Sequence, residues 1–176
     1  MRRCGWCGGT LRHKNAHAVF CSGRCRVAAH RSPVPAELIR HDRWIRRGAD
    51  KKPLTTLGTR ARSNDPGSWA SYAEAKASKV GVGLGFVTGD GIGCIDLDHC
   101  LIDGEPTPEA AAFLEDYPGH HIEISPGGDG LHIWGTGDPA PGSRRVIDGL
   151  SVERYSVGQY VTITGRIYQR GQLLPL

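Results

Sequence analysis

The sequence predicts an α+β fold carrying a small cysteine-rich head, and three observations predict it. Two proline-capped helical segments are separated by runs of strands instead of alternating with them one for one, which is the α+β pattern and not the doubly wound one. Glycine is abundant, at 25 of 176 residues, and 11 prolines add further turns, favouring short strands and tight connections over a helical bundle. Four cysteines fall within the first 25 residues in two short-spaced pairs. The hydrophobic fraction of 39% is enough for a packed core.

The elements follow in chain order. Cys4-x2-Cys7 and Cys21-x3-Cys25 can each sit on a tight turn and present two thiolates to one ion, with Gly5, Gly8, Gly9 and Gly23 supplying turn freedom. Four thiolates suit structural zinc, which prefers tetrahedral sulfur and then has no open position for catalysis. Residues 1–30 are therefore expected to be a zinc ribbon. "HRSPVPAE" (30–37), with its two prolines, closes the head, so 31–41 is expected to be a linker and 42–176 the main domain. "DRWIRR" and "KKPLTT" are expected as short strands around the "GAD" turn. "NDPGSWASYAEAKASK" is expected as one helix with Asp65 as N-cap and Pro66 at its first position. "GVGLGFVTGDGIGCIDLDHC" is expected as a hairpin turning at "TGDG". "TPEAAAFLEDYP" is a second helix, capped by Thr107 and ended before Pro118. "HHIEIS", "GLHIWG", "LSVERY" and "QYVTITG" read as four further strands in a largely antiparallel or mixed sheet.

The charge is uneven. The net of +4 hides a head, residues 1–31, with seven Lys or Arg and no Asp or Glu, and a remainder with fifteen basic against eighteen acidic side chains. A basic head on a mildly acidic body points to a polyanionic partner, although the same cations would also offset metal-bound thiolates. No apolar run approaches the roughly 20 residues of a membrane helix. "MRRCGWCGG" lacks the apolar centre of a signal peptide. A cytoplasmic setting is expected, in which clustered cysteines are metal ligands more often than disulfides.

In "GCIDLDHC" the strand period puts Asp96 and Asp98 on one face, with Cβ atoms about 6–7 Å apart, and Ile95 and Leu97 on the other. Alone, such a pair is a holder of hard divalent ions, part of a zinc site with Cys94 and Cys100, or two solvated carboxylates. Two later strands repeat the design: His132 stands between Leu131 and Ile133, and Glu153 follows Val152. "ISPGGDGLH" adds a glycine-rich turn between Ser125 and His132, through Gly130, that can bring backbone N–H groups close to phosphate. Together these groups form a kit for two-metal chemistry on a triphosphate.

"IDLDHC", "SPGGDGLHIWG" and "VERYSVGQYVTITG" resemble, in order and approximate spacing, the three motifs of the archaeo-eukaryotic primase superfamily, most of all the bifunctional primase-polymerase domains of phages and plasmids. "KKPL…SNDPGSWASYAEA" looks like the beginning of that domain, and the resemblance covers about residues 42–166. It implies a core related to the RNA-recognition fold and a template-directed nucleotidyltransferase, a DNA primase and polymerase working on single-stranded DNA with dNTP or NTP. It further implies that Asp96, Asp98 and Glu153 hold two Mg²⁺ or Mn²⁺ ions. His132, Ser125 and Gly130 would meet the nucleotide's phosphates, and Lys52 or its neighbour Lys51 would add charge there. A replicative helicase is an implied partner. Gln159 stands where such relatives often carry a basic residue. The competing expectation is a non-catalytic replication accessory protein that binds DNA through its zinc-ribbon head. A nicking initiator using Tyr155 or Tyr160 ranks behind both, because "HHIEI" has adjacent histidines where that chemistry needs an alternating pair.

Overall fold

The computed structural model describes residues 2–176. The chain divides into two compact units, Met1–Phe86 and Val87–Leu176. Its elements are α1 (Gly23–His30), α2 (Ala36–Ile39), β1 (Trp44–Arg47), β2 (Pro53–Leu54), α3 (Tyr72–Ala77), β3 (Gly83–Val87), β4 (Ile92–Asp98), β5 (Leu101–Ile102), β6 (Glu105–Pro106), α4 (Pro108–Leu114), β7 (His121–Ile124), β8 (Leu131–Thr136), β9 (Ser143–Ile147), β10 (Leu150–Tyr155), β11 (Tyr160–Ile163), β12 (Ile167–Gln169) and β13 (Leu174–Pro175). The fold is α+β, with mainly antiparallel pairing, as expected.

In the first unit β1 pairs antiparallel with both β2 and β3. Trp44 on β1 is fully buried, with its ring edge-on to Tyr72 of α3 (4.8 Å between centroids) and to Phe86 of β3 (5.3 Å). Its indole N–H donates to the Leu38 carbonyl at 3.1 Å, tying α2 to the same core. Arg46 is buried nearby and uses its guanidinium to close α3, donating to the carbonyls of Ala75 (3.1 Å) and Val80 (2.6 Å). Ala75 is in the last turn of α3, where a short helix leaves carbonyls without partners, and Val80 lies just beyond the helix end.

The expected helix over 64–79 is two pieces. Asp65 caps a single 3₁₀ turn, Pro66–Ser68, by accepting from Gly67 N at 3.0 Å. Trp69 and Ala70 are then drawn out, with Ala70 bridging to Trp44. Ser71 restarts the helix through a reciprocal capping box with Glu74, a Ser-x-x-Glu signature present in the sequence. The "TGDG" segment does turn, with Gly89, Asp90 and Gly91 at positive φ, but its flanking strands do not pair with each other. β3 pairs with β1, whereas β4 pairs with β8 and β10. The local turn signal in "TGDG" is real, but a turn does not dictate that the strands on either side of it pair with each other.

The second unit is a sheet in the order β12-β7-β8-β4-β10-β9, with β13 alongside β8 in parallel. One face is apolar. Ile95, Leu97, Ile122, Leu131, Ile133, Leu150 and Val152 pack there with Cys100, Leu101, Ala110 and Tyr117. α4 covers this face, capped by Thr107 with Pro108 behind it, as expected; Ala110 points fully inward and Phe113 and Leu114 pack beside it. Because strand side chains alternate, filling one face with branched aliphatics commits the intervening polar residues to the other. Among the described residues no helix is long and apolar enough to cross a membrane.

Candidate active site

Strand register turns separated polar residues into a row. Asp96 on β4 faces His132 on β8 and Glu153 on β10. His132 in turn faces Glu123 on β7, and Glu153 faces Arg144 on β9. The row across five strands is therefore Glu123, His132, Asp96, Glu153 and Arg144. One step toward the β7–β8 turn, Asp98 pairs in register with Ser151. Ser125 and Gly130 continue the parity of Glu123 and His132, and Ser125 N–H donates to the Gly130 carbonyl at 2.8 Å.

His132 is the best-held member. It is almost fully buried, with Nδ1 3.4 Å from Glu123 Oε1 and Nε2 3.6 Å from Asp96 Oδ1. The second distance is too long for a hydrogen bond but close enough for strong attraction. Burial works against the imidazolium, yet the Glu123 hydrogen bond and the Asp96 charge outweigh it and raise the His132 pKa above its ordinary value. Glu123 is itself buried and well supplied with donors. Trp134 Nε1 donates to Oε1 at 3.2 Å; Thr164 N, Thr164 Oγ1 and Gly165 N donate to Oε2 at 3.1, 3.2 and 2.9 Å. The "TITG" segment thus serves as a bracket for the carboxylate that orients the histidine.

On the other side of Asp96 the charges are partly balanced by the protein. Arg144 pairs through Nε with Glu153 Oε1 and lies with Nη2 3.6 Å from Asp98 Oδ2. Tyr155 donates its hydroxyl to the other oxygen of Glu153. Burial is the main reason the Asp96 carboxyl is pushed above the usual carboxylate range; the charges of Asp98 and Glu153 push it further, against His132 and Arg144. An oxygen-donor set of three carboxylates with a surplus of negative charge suits hard divalent cations. Among the described residues, however, the group whose ligand atoms all lie within 4.8 Å of one another is the cysteine set, and Asp96, Asp98 and Glu153 stand more openly.

The turn after β7 brings backbone close to Asp98. A Cβ on Gly130 would come within 2.5 Å of the Leu97 carbonyl and 3.0 Å of Ser125 Oγ, so this approach requires glycine. The guanidinium of exposed Arg166 reaches toward the same turn, with Nη1 3.4 Å from the Ser125 carbonyl. Lys52 belongs to the first unit, where its exposed ammonium pairs with Asp50 at 2.8 Å. Cys94 and Cys100 are buried and have raised pKa values, chiefly from desolvation, as packing thiols do.

Sequence reading missed Glu123, Arg144 and Arg166, and offered Tyr155 only as a nicking nucleophile, whereas it donates to Glu153. Glu123 carried a usable signal: in "HIEI" the period of two gives it the face opposite Ile122 and Ile124, the same logic that selects His132. Arg144 carried none, because "SRRVI" is an exposed edge strand without apolar alternation.

In the head, Cys4, Cys7, Cys21 and Cys25 converge so that their sulfurs all lie within 4.8 Å. Cys7–Cys21 and Cys21–Cys25 sulfurs are 3.6 and 3.5 Å apart, near the roughly 3.8 Å edge of a tetrahedron with 2.3 Å Zn–S bonds. Ser22 caps α1 and sets Cys25 in its first turn. Burial opposes ionisation of Cys4, but backbone N–H groups of Cys7, Cys21 and Trp6 lower its pKa to about 7. These cysteines could hold a metal ion such as zinc. Trp6, next to the ligands, lies 5.8 Å from the Tyr72 ring and beneath the Lys76 ammonium at 3.6 Å.

No protein-family model matches the sequence. The chain is similar to the DNA primase-polymerase of Nitratiruptor phage NrS-1, with 36% identity over 149 residues, covering 77% of this chain and 21% of that protein. The chain thus spans about a fifth of the relative's length.

Proposed function

We propose that this chain is a primase-polymerase of the phage and plasmid type, a nucleotidyltransferase that joins nucleotides on a single-stranded DNA template. The observation that carries the reading is the row of Asp96, Glu153 and His132 across three neighbouring strands, with Asp98 one step along the same face. Similarity to a phage DNA primase-polymerase over most of the chain supports it. In this reading residues 1–30 are a zinc ribbon, 31–41 join it to the remainder, and 42–176 carry the chemistry.

Asp96, Asp98 and Glu153 would hold two Mg²⁺ or Mn²⁺ ions, which supply Lewis acidity to the reacting phosphate when bound. The chain's own groups do the rest. His132, whose pKa the Glu123 hydrogen bond raises, offers an N–H where negative charge accumulates as a primer hydroxyl attacks the α-phosphorus and pyrophosphate departs. Glu123 fixes the ring so that this donor needs no reorientation during the reaction. The Ser125–Gly130 turn presents backbone N–H groups and lets the triphosphate approach without a Cβ in the way. Arg144 tempers the repulsion among the carboxylates.

The test is synthesis by the purified protein with Mn²⁺ or Mg²⁺, labelled dNTPs or NTPs and single-stranded template, with and without a primer. Metal-dependent product is expected, and Asp96→Ala with Asp98→Ala should lose it while keeping the circular-dichroism spectrum. Absence of both product and nucleotide binding in the parent would sink the reading. Nucleotide-independent DNA binding without synthesis would make the chain an accessory protein.

A further inference from the structure

The outer side of the head carries a groove that the catalytic reading does not use. Val19, Phe20, Val27 and Ala36 form its apolar floor, and it encloses about 530 Å³, enough for a nucleoside. Its rim is cationic: Arg26, His30, Arg31 and Arg40 line it, all exposed, and no Asp or Glu does. The helix periodicity of α1 produces this. Cys25 and Ala29 turn inward, while Arg26, Val27 and His30, with Arg31 just beyond, share the outer side. Val27 is 45% exposed, an apolar residue left uncovered in the middle of a charged surface. Val19, Phe20 and Arg26 also border a second hollow of about 460 Å³, walled by Lys14 and His17 and again free of acidic side chains. The two hollows adjoin through these three shared residues, and together they form one track. Among the described residues none of Arg26, Arg31 and Arg40 has a carboxylate partner, so these cations are not spent on internal ion pairs.

We infer that this track binds single-stranded nucleic acid, with a base against Phe20 and the phosphates on Arg26, Arg31 and Arg40. The inference rests on the nucleic-acid side of the reading above and not on its catalytic chemistry. Charge complementarity selects a polyanion. The aromatic and aliphatic floor selects one whose bases are exposed, because a duplex keeps its bases stacked and offers only phosphates. An acidic peptide would satisfy the rim but carries a planar group only where it has an aromatic residue, whereas a nucleic acid carries one on every unit.

The experiment is fluorescence anisotropy of a labelled 20-nucleotide oligo(dT) with the full, zinc-loaded chain between 50 and 200 mM salt, without divalent metal or nucleotide. Arg26→Ala with Arg31→Ala should lower affinity by about tenfold or more and reduce the log–log salt slope by about 1.4, two phosphates at roughly 0.7 each. Phe20→Leu keeps the floor apolar but removes the stacking face, and should cost about tenfold with the slope unchanged. Zinc content measured on each variant checks that the head is intact. Oligo(rU) should bind comparably and a duplex of equal length less well. The inference is overturned if intact variants bind as tightly as the parent, if duplex binds as well as single strands, or if oligoglutamate displaces oligo(dT) as effectively as unlabelled oligo(dT). A parent that binds through the groove but makes no product keeps this inference and removes the catalytic one.

Discussion

The molecule gathers anionic ligands in two places and on two different plans. In the head, tight turns and a helix start aim four sulfurs at one point, all within 4.8 Å, a closed set with no position left for a substrate. On the sheet, register lays Asp96, Asp98 and Glu153 along neighbouring strands, where pleat spacing holds them apart and Arg144 and His132 share the balancing of charge. Here the turns bring their ligands to a point, whereas the strands set theirs in a row. A converged site stabilises the chain that forms it. An open row costs stability, because partly buried like charges repel, and in the function proposed above it leaves room for ions and substrate.

The sharpest break in that comparison is Cys21→Ser. Cys21 neighbours both Cys7 and Cys25, and its backbone N–H donates to Cys4 Sγ at 3.3 Å. Structural zinc sites contribute on the order of 10 kcal/mol to folding of the segment that carries them. The variant should lose its zinc and become protease-sensitive within residues 1–30, read by metal analysis and by mass spectrometry of the fragments. Retained zinc and an unchanged digestion pattern would show that the head is held by packing alone.

Asp96→Asn probes the opposite plan. Burial and neighbouring carboxylates raise the Asp96 pKa, so the folded state penalises the charged form. The sign follows: that penalty sets in as pH rises above the unfolded value near 3.9 and persists at neutral pH. Removing the charge should therefore raise the metal-free Tm by a few degrees while synthesis falls by about a thousandfold or more. A variant that loses activity and also melts earlier would mean that Asp96 is a structural carboxylate.

How much of this was readable from the sequence differs between the two sites for a physical reason. The head was legible because its ligands are neighbours in the chain, and the spacing of Cys4, Cys7, Cys21 and Cys25 encodes the turns directly. The Thr107 cap and the alternating strands of the second unit were legible because each depends on local signals. The pairing of β3 and β4 with different sheets was not, since nothing local in "GVGLGFVTGDGIGCIDLD" says which partner each strand takes. Glu123 and Arg144 join the site through register across strands up to 57 positions apart in the chain (from Asp96 to Glu153), information that one strand does not contain.

Glu123→Gln is the next test in order of size. Glutamine keeps the shape but cannot accept all the bonds now shared among Trp134, Thr164 and Gly165, and one buried unmet group costs about 1–3 kcal/mol. The His132 pKa is raised despite burial, mainly by its bond to Glu123, so this contribution is fully present below pH about 6.5 and is lost as pH rises through the elevated value. The Tm gap between parent and variant should be wider at pH 6 than at pH 9, and the alkaline limb of the activity profile should move to lower pH. Equal gaps at both pH values would separate Glu123 from the ionisation of His132.

Arg144→Ala should have the smallest effect on folding and is the most informative about openness. The side chain is 71% exposed, and exposed ion pairs contribute about 1 kcal/mol or less, so Tm should move little. Its removal leaves Asp98 and Glu153 without their protein cation, and Asp96 without one of the charges that lowers its pKa. The divalent-ion concentration for half-maximal synthesis should then fall several-fold, because the metal no longer competes with a guanidinium for the same oxygens. If the variant instead needs the same metal but much more nucleotide, Arg144 acts on the substrate and not on the carboxylates. The row would then be less self-balanced than its resting contacts imply, and the contrast with the closed cysteine site would be greater.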